Sequence, residues 1–355
     1  MIRIFTPSFA DEANTNAQNL SAREIVCRLS PERFHVTLLY ESDPDPRIVA
    51  RNNTRLLRWH RRGNTLRILA TLIRERPDIY FFPREGPLDT AFISLRRSQF
   101  LGIFRKTKLV TYVVSGGFYN PDPVRATLAR NILEADAVVG NCIYLSALVQ
   151  QRLNVLASTI YDGIDRRYFF SEGRTAVSTS PPVVLFAGSF RPYKRASLLV
   201  GLAATRPQIK FRFAGIGEEE PLCRELVSKL SCSNIEFLGH LSSALLGEEM
   251  RRSSVLFHPS VLEGHPQVFG QAAACGLPIV ALNLYRPDYV VHDQTGLLAS
   301  SDAELEQMLD QLLASPAIRQ SMSRNAVEHA KQFEWDRITQ IWEQTFLAVA
   351  QTRSG

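Results

Sequence analysis

Two segments in the second half of the chain carry side chains whose types and spacing could bind an anion and the hydroxyls beside it. From His258 to Ala281 the chain reads His-Pro-Ser-Val-Leu-Glu-Gly-His-Pro-Gln-Val-Phe-Gly-Gln-Ala-Ala-Ala-Cys-Gly-Leu-Pro-Ile-Val-Ala, which fits a strand, a tight loop, a helix and a second strand. Glu263 and Gly264 fall in the loop, Pro266 suits the first helical turn because the N–H it lacks would be unpaired there anyway, and Gly276 followed by Pro278 stops the helix. The free amides and dipole of such a helix start form an anion site, on which a diphosphate could rest with Glu263 and Gln271 reaching hydroxyls on either side. A capped surface helix with an ordinary glutamate fits the same residues. Gly188-Ser189-Phe190-Arg191-Pro192-Tyr193-Lys194-Arg195 follows an apolar strand and opens onto a helix near Ala196. Glycine there lets backbone approach a ligand, and the cations Arg191, Lys194 and Arg195 can neutralise a pyrophosphate whose charge grows as a leaving group departs. A solvated basic turn is the plainer account. Gly215-Ile216-Gly217 and the strand end Phe237-Leu238-Gly239-His240, where a nucleobase could pair with backbone groups, are equally compatible with plain turns between strand and helix.

Loops of this kind act together only when a sheet presents them along one edge. Short apolar runs alternate with helical stretches throughout, the pattern of parallel strand-helix-strand units and an α/β class. Residues 2–5, 36–40, 79–82, 109–114 and 137–139 read as strands of a first Rossmann-like sheet, with helices over residues 16–29 and 65–76. Residues 183–187, 211–214, 235–238, 255–258 and 279–282 read as a second sheet, followed by helical stretches over 301–331 and 336–350. Residues 171–182, rich in Ser, Thr, Gly and Pro, are composed like a linker. The expected domains are therefore 1–170 and 183–355, facing each other across a cleft, with ligands at the C-terminal ends of the strands. The 355 residues, 45% hydrophobic and 21% charged, supply two such cores and exclude a disordered or collagenous chain. No run of about 18 apolar residues occurs, and Met1-Ile2-Arg3-Ile4-Phe5 is too soon broken for a secretory signal, so a cytoplasmic location is expected. Cys27, Cys142, Cys223, Cys232 and Cys275 include no Cys-x-x-Cys pair, which excludes a zinc knuckle or redox motif and leaves reduced, mostly buried thiols. A net charge of +6, from 41 Lys+Arg against 35 Asp+Glu, suits phosphate-bearing or acidic partners.

In order and register, the motifs resemble the GT-B glycosyltransferases of glycosyltransferase family 4, a retaining group. The resemblance rests on Ala135-Asp136-Ala137-Val138-Val139, Tyr161-Asp162-Gly163-Ile164-Asp165 with Phe169, Gly188 with Lys194, and Asn234-Ile235-Glu236-Phe237-Leu238-Gly239. Pro259-Ser260 with Glu263, Ala274-Cys275-Gly276-Leu277-Pro278 and Thr295-Gly296-Leu297-Leu298 extend it over most of the chain. It implies two Rossmann-like domains, with a C-terminal helix packing back toward the first. It also implies transfer of a hexosyl-type sugar from a UDP- or GDP-sugar to a hydroxyl acceptor, in glycan, lipid-linked saccharide or other glycoconjugate synthesis, with retention of anomeric configuration. Lys194 matches the lysine that holds the donor diphosphate. Ser189 stands where the family usually has arginine, and Arg191 is the nearby cation that could substitute. Glu263 matches the first acid of the Glu-x7-Glu motif, which contacts the donor sugar. Gln271 stands in place of the second, against the ribose, with neutral rather than charge-assisted hydrogen bonds. Gly188, Gly215, Gly239, His240, Gly264, His265, Pro266 and Gln267 complete the implied donor site, and Asn14, Asn16, Ser115 and Gly116 the acceptor side. Residues 113–117 lack the histidine many members carry, so the implied route is one in which the departing phosphate oxygen takes the acceptor proton on the same face. Asp43-Pro44-Asp45 lies in a proline-rich turn far from the donor loops. With Lys194 and a helix dipole supplying positive charge, neither a metal nor another cofactor is expected.

Arg47, Arg51, Arg55, Arg58 and Arg62 recur at spacings that share one face if the stretch is helical. A second basic and apolar stretch follows from Arg96-Arg97 through Phe104 to Lys106. Such faces could rest peripherally on an anionic inner membrane surface near a lipid-linked acceptor, or simply be solvated. No nucleic-acid module is present, so nucleic acid is not an expected partner. Two other readings keep the fold: a nucleotide-sugar epimerase, for which His265 is the histidine available for acid–base work, and a non-catalytic sugar-nucleotide binding protein.

Overall fold

The computed structural model describes residues 1–12, 17–60, 64–83, 86–98, 102–115, 123–174 and 181–352. The chain forms two compact units, Met1–Gly163 with Trp335–Gly355, and Ile164–Glu334. The expected linker, residues 171–182, thus begins inside the second unit, while the last helix joins the first unit, as the family resemblance implies.

The first unit is a seven-stranded sheet in the order β3-β2-β1-β4-β5-β6-β7, with every pairing parallel. Its strands are β1 (Ile2–Phe9), β2 (Phe34–Tyr40), β3 (Thr54–Arg58), β4 (Ile79–Phe81), β5 (Lys108–Val113), β6 (Ala137–Gly140) and β7 (Ser158–Thr159). Helices α1 (Ala17–Val26), α2 (Pro46–Val49), α3 (Asn64–Glu75), α4 (Pro87–Arg97), α5 (Pro123–Leu133) and α6 (Ile143–Leu153) connect them. A parallel sheet is covered on both faces, which is why β5 is buried at every residue. The C-terminal helix α13 (Trp335–Gln351) supplies Trp342 and Phe346 to this core. Both rings lie 5.0 Å from Phe81.

The helix expected to carry the arginine stripe does not form. Asp45 caps only the four-residue α2, accepting from Arg47 N at 2.9 Å. Thr54–Arg58 instead pairs with β2 as the edge strand β3, on which Arg55 and Arg58, three positions apart, stand on opposite faces. Arg47 is engaged by Glu24 and Asp45, Arg51 by the Cys27 carbonyl, and Arg55 by Glu75; Arg62 lies outside the described residues. Arg96 and Arg97 likewise pair with Asp136 and Glu134. Among the described residues these arginines form no basic helix face, and no helix is long and apolar enough to cross a membrane.

The second unit is a six-stranded parallel sheet in the order β10-β9-β8-β11-β12-β13. Its strands are β8 (Val183–Ala187), β9 (Lys210–Ala214), β10 (Ile235–Gly239), β11 (Val255–His258), β12 (Ile279–Leu282) and β13 (Gly296–Ala299). Helices α7 (Ala196–Ala204), α8 (Glu220–Lys229), α9 (Ser243–Arg252), α10 (Gln267–Ala274), α11 (Asp302–Ala314) and α12 (Pro316–Ala330) flank it. The expected helix over 301–331 is broken at Ser315, whose side chain caps the amide of Ile318 while Pro316 opens a new first turn. The chain enters and leaves this unit side by side, with Ile164 N donating to Phe333 O at 2.7 Å.

Candidate functional site

In the second sheet the crossovers from β8 run toward β9 and β10, whereas β11 lies on the other side of β8. The strand order reverses between these neighbours, and such a switch point is where doubly wound sheets bind their ligands. Lys194 comes from the loop after β8 and Glu263 from the loop after β11.

The β8 loop is fixed by backbone contacts with its neighbours. Gly188 N donates to Ala214 O at 2.9 Å, Phe190 N to Ile216 O at 3.0 Å, and Gly215 N to Gly239 O at 2.7 Å. A Cβ on Gly215 would sit 1.9 Å from the Gly188 carbonyl oxygen, so only glycine lets the two loops close on one another. Beyond this seam, Pro192–Lys194 forms one 3-10 turn, and Arg195 adopts a left-handed conformation (φ 56°) that starts α7. Ser260 joins this turn to the β11 loop: its hydroxyl donates to Tyr193 O at 3.2 Å, and Val261 N reaches the same carbonyl at 2.9 Å.

The result is an ion pair between Lys194 Nζ and Glu263 Oε1, with side chains only 13% and 10% exposed. His258, the last residue of β11, also meets Glu263 Oε1 through Nε2 at 2.9 Å. Burial pushes the Glu263 carboxyl up, but the His258 hydrogen bond and the Lys194 ammonium outweigh it and hold the group at about 2. No hydrogen bond reaches Glu263 Oε2 from the described residues. The hydroxyl of Tyr285, in the turn after β12, is buried without a hydrogen-bond partner among the described residues. Burial, and then the charge of Glu263, raise its pKa.

Helix α10 aims its N-terminus at the same edge. Pro266 is the N-cap rather than part of the first turn and supplies no side-chain cap; Phe269 N donates to Pro266 O at 2.9 Å, and the amides of Gln267 and Val268 keep their donors for another partner. At its far end Gly276 turns left-handed (φ 66°), and the half-buried Arg174 binds the Met250, Ser253 and Cys275 carbonyls, pinning α10 to α9. Gln267 has a buried amide nitrogen without a partner among the described residues, and Gln271 lies one turn farther on the same face.

The sequence-selected residues divide accordingly. Lys194, Glu263, Gly264, Pro266, Gln267 and the glycines 188, 215 and 239 belong to one edge of this unit. Ser189, Arg191 and His240 stand exposed there, and Arg191 makes no ion pair with the described residues. Arg195 does not join them, because Asp302 holds its guanidinium at 2.5 and 2.9 Å. His265 is buried with its ring stacked 3.9 Å from that of Tyr289, and burial lowers its pKa to about 3, so the ring is neutral near pH 7. Ser115 is an exposed residue beyond β5, while Asn14, Asn16 and Gly116 lie outside the described residues. Asp43-Pro44-Asp45 is structural: Asp45 serves Arg47 and the α2 cap, and Asp43 N donates to Asp11. Residue type and spacing point to neither His258 nor Tyr285. His258 opens the quoted motif, but nothing in its type distinguishes a core imidazole from one aimed at Glu263.

Residues 170–329 match the family described as Glycosyl transferases group 1. An uncharacterised glycosyltransferase of Methanocaldococcus jannaschii is 27% identical over 206 residues, 57% of each chain. A D-inositol 3-phosphate glycosyltransferase of Kribbella flavida is 30% identical over 187 residues, 48% of this chain and 43% of that one. The chain therefore spans about half the length of these relatives. In fold it is similar to sucrose-phosphate synthase from Thermosynechococcus elongatus (TM-score 0.79, 20% identity, 98% of this chain and 100% of that one). It is also similar to HepE of Anabaena, solved with UDP and glucose (TM-score 0.76, 17% identity, 98% and 100%). Residues 170–329 are thus similar to the glycosyl transferases group 1 family, and the chain as a whole has the fold of the GT-B glycosyltransferases.

Proposed function

We propose that this protein is a retaining glycosyltransferase that moves a hexosyl-type sugar from a nucleotide diphosphate sugar to a hydroxyl acceptor in glycan or glycoconjugate synthesis. The observation that carries this reading is the meeting of Lys194 and Glu263 at the switch point of the second sheet, beside the uncapped start of α10. Lys194 and the first amides of α10 would face the diphosphate, with Arg191 free to swing toward it. Glu263 would accept a sugar hydroxyl on Oε2 while Oε1 stays engaged by its protein partners. Gln271, one turn inside α10, would meet the ribose.

In the reaction the bond from the anomeric carbon to the diphosphate oxygen breaks. A bond to the acceptor oxygen forms on the same face, and the acceptor proton passes to the departing phosphate oxygen. The charge that grows on that oxygen is met by fixed N–H and ammonium donors, where preorganised support counts most. Lys194 thereby takes the part that a divalent cation plays elsewhere, so activity should persist in excess EDTA.

The test is to screen UDP- and GDP-sugars by thermal shift, then follow release of the nucleoside diphosphate with and without chelator and determine the anomeric configuration of the product. Stabilisation by one donor, slow donor hydrolysis and a retained anomer are expected. Binding without hydrolysis or transfer would leave a sugar-nucleotide binding protein, and inversion would overturn the same-face route.

A further inference from the structure

We infer that His258 is the positioning residue of Glu263, a fixed N–H donor beneath the carboxylate that keeps it in place when a ligand draws Lys194 away. The inference deepens the donor-site reading above and rests on it for its kinetic part.

His258 is fully buried at the end of β11. Its ring lies parallel to that of Phe186 from β8 (6.3 Å, 11°) and edge-on to that of Phe269 from α10 (5.0 Å, 86°), so its orientation is set by two elements of the core. Nδ1 is buried with no hydrogen-bond partner among the described residues. A proton there would be an orphaned donor, whereas a proton on Nε2 points at Glu263 Oε1, 2.9 Å away. The neutral Nε2–H tautomer satisfies both observations, and burial favours the neutral ring.

Glu263 Oε1 thus has two partners of different kinds. Lys194 ends a flexible stem in a surface turn and has further N–H donors to offer an anion. His258 is locked in the core and can serve only the carboxylate. When a diphosphate shares the ammonium, the imidazole remains as the contact that fixes the Glu263 rotamer and keeps Oε2 directed toward the sugar. Nothing in this role requires His258 to touch a substrate.

Two variants separate positioning from packing. His258→Phe fills the slot between Phe186 and Phe269 but donates nothing, while His258→Gln can place an amide N–H near the position of Nε2. With the best donor, His258→Phe should lower kcat about 10–30-fold with donor KM within about threefold, as expected for loss of one hydrogen bond to a charged group. His258→Gln should recover most of that loss, and in a Glu263→Ala background His258→Phe should change kcat by less than about twofold. Without any donor, the fall in Tm caused by His258→Phe at neutral pH should be at least halved when Glu263 is already Ala. Equal effects in both backgrounds, by Tm or by kcat, overturn the inference and make His258 a packing residue. If the wild-type protein turns over no nucleotide sugar, the proposed function fails, and the thermal cycle still decides whether His258 holds Glu263.

Discussion

Replacing Lys194 by methionine removes the ammonium and keeps most of the stem. Glu263 is held at about 2 against an ordinary 4.5, which corresponds to roughly 3 kcal/mol in favour of its ionised form. His258 and Lys194 share that stabilisation against the opposing effect of burial, so losing the ammonium costs on the order of 1–2 kcal/mol at neutral pH. A carboxyl whose folded value lies below its unfolded one contributes its full stability above about pH 4.5 and loses it as pH falls toward 2. The gap in stability between wild type and Lys194→Met is therefore widest near neutrality and closes on acidification through that window. Urea or thermal unfolding at a series of pH values measures the gap. The same variant should lower kcat with a nucleotide-sugar donor by about 10²–10³-fold, because one preorganised donor to a developing oxyanion contributes about 2.7–4 kcal/mol. A stability gap that does not change with pH, or a kcat within about threefold of wild type, refutes the reasoning.

Gly215→Ala forces a Cβ to within 1.9 Å of the Gly188 carbonyl oxygen, so it should destabilise the second unit by about 2 kcal/mol or more, read by denaturant unfolding, and weaken donor binding with it. Arg195→Ala removes an ion pair that is 25% and 50% exposed; stability should change by less than about 1 kcal/mol and turnover by less than about twofold, and a large kinetic loss would return Arg195 to the diphosphate. Gln271→Glu converts neutral hydrogen bonds to charge-assisted ones, and donor KM should fall about three- to tenfold if this residue meets the ribose. An unchanged KM would place the ribose elsewhere.

The strands that carry the candidate site were legible because they are central in a parallel sheet. Val183–Ala187, Val255–His258 and Ile279–Leu282 are almost wholly apolar, and burial on both faces demands that composition. Edge strands escape the same logic. Thr54–Arg58 is solvated enough to carry two arginines, whose spacing from Arg47 and Arg51 mimics a helix face although the backbone between them turns. Gly296–Ala299 is as long as β11 and β12, but it lies at the sheet edge and opens on glycine, which leaves a run of only three apolar side chains. Glycine and proline punctuation marks the loops of Lys194 and Glu263, and the resemblance implies their joint role at the donor site. That Arg195 turns away to Asp302, and that His258 turns toward Glu263, depends on backbone conformation and sheet adjacency, which residue spacing does not encode.

Trp342 and Phe346 stand among Phe34 and Phe81 in the core of the first unit. During synthesis, residues 1–163 leave the ribosome without the rings that complete their interior. The contiguous segment Ile164–Glu334 can fold as it emerges. The earlier half waits on the order of 10–40 s for α13, at about 5–20 residues per second, and in that interval its apolar strands are the part of the nascent protein most in need of a chaperone.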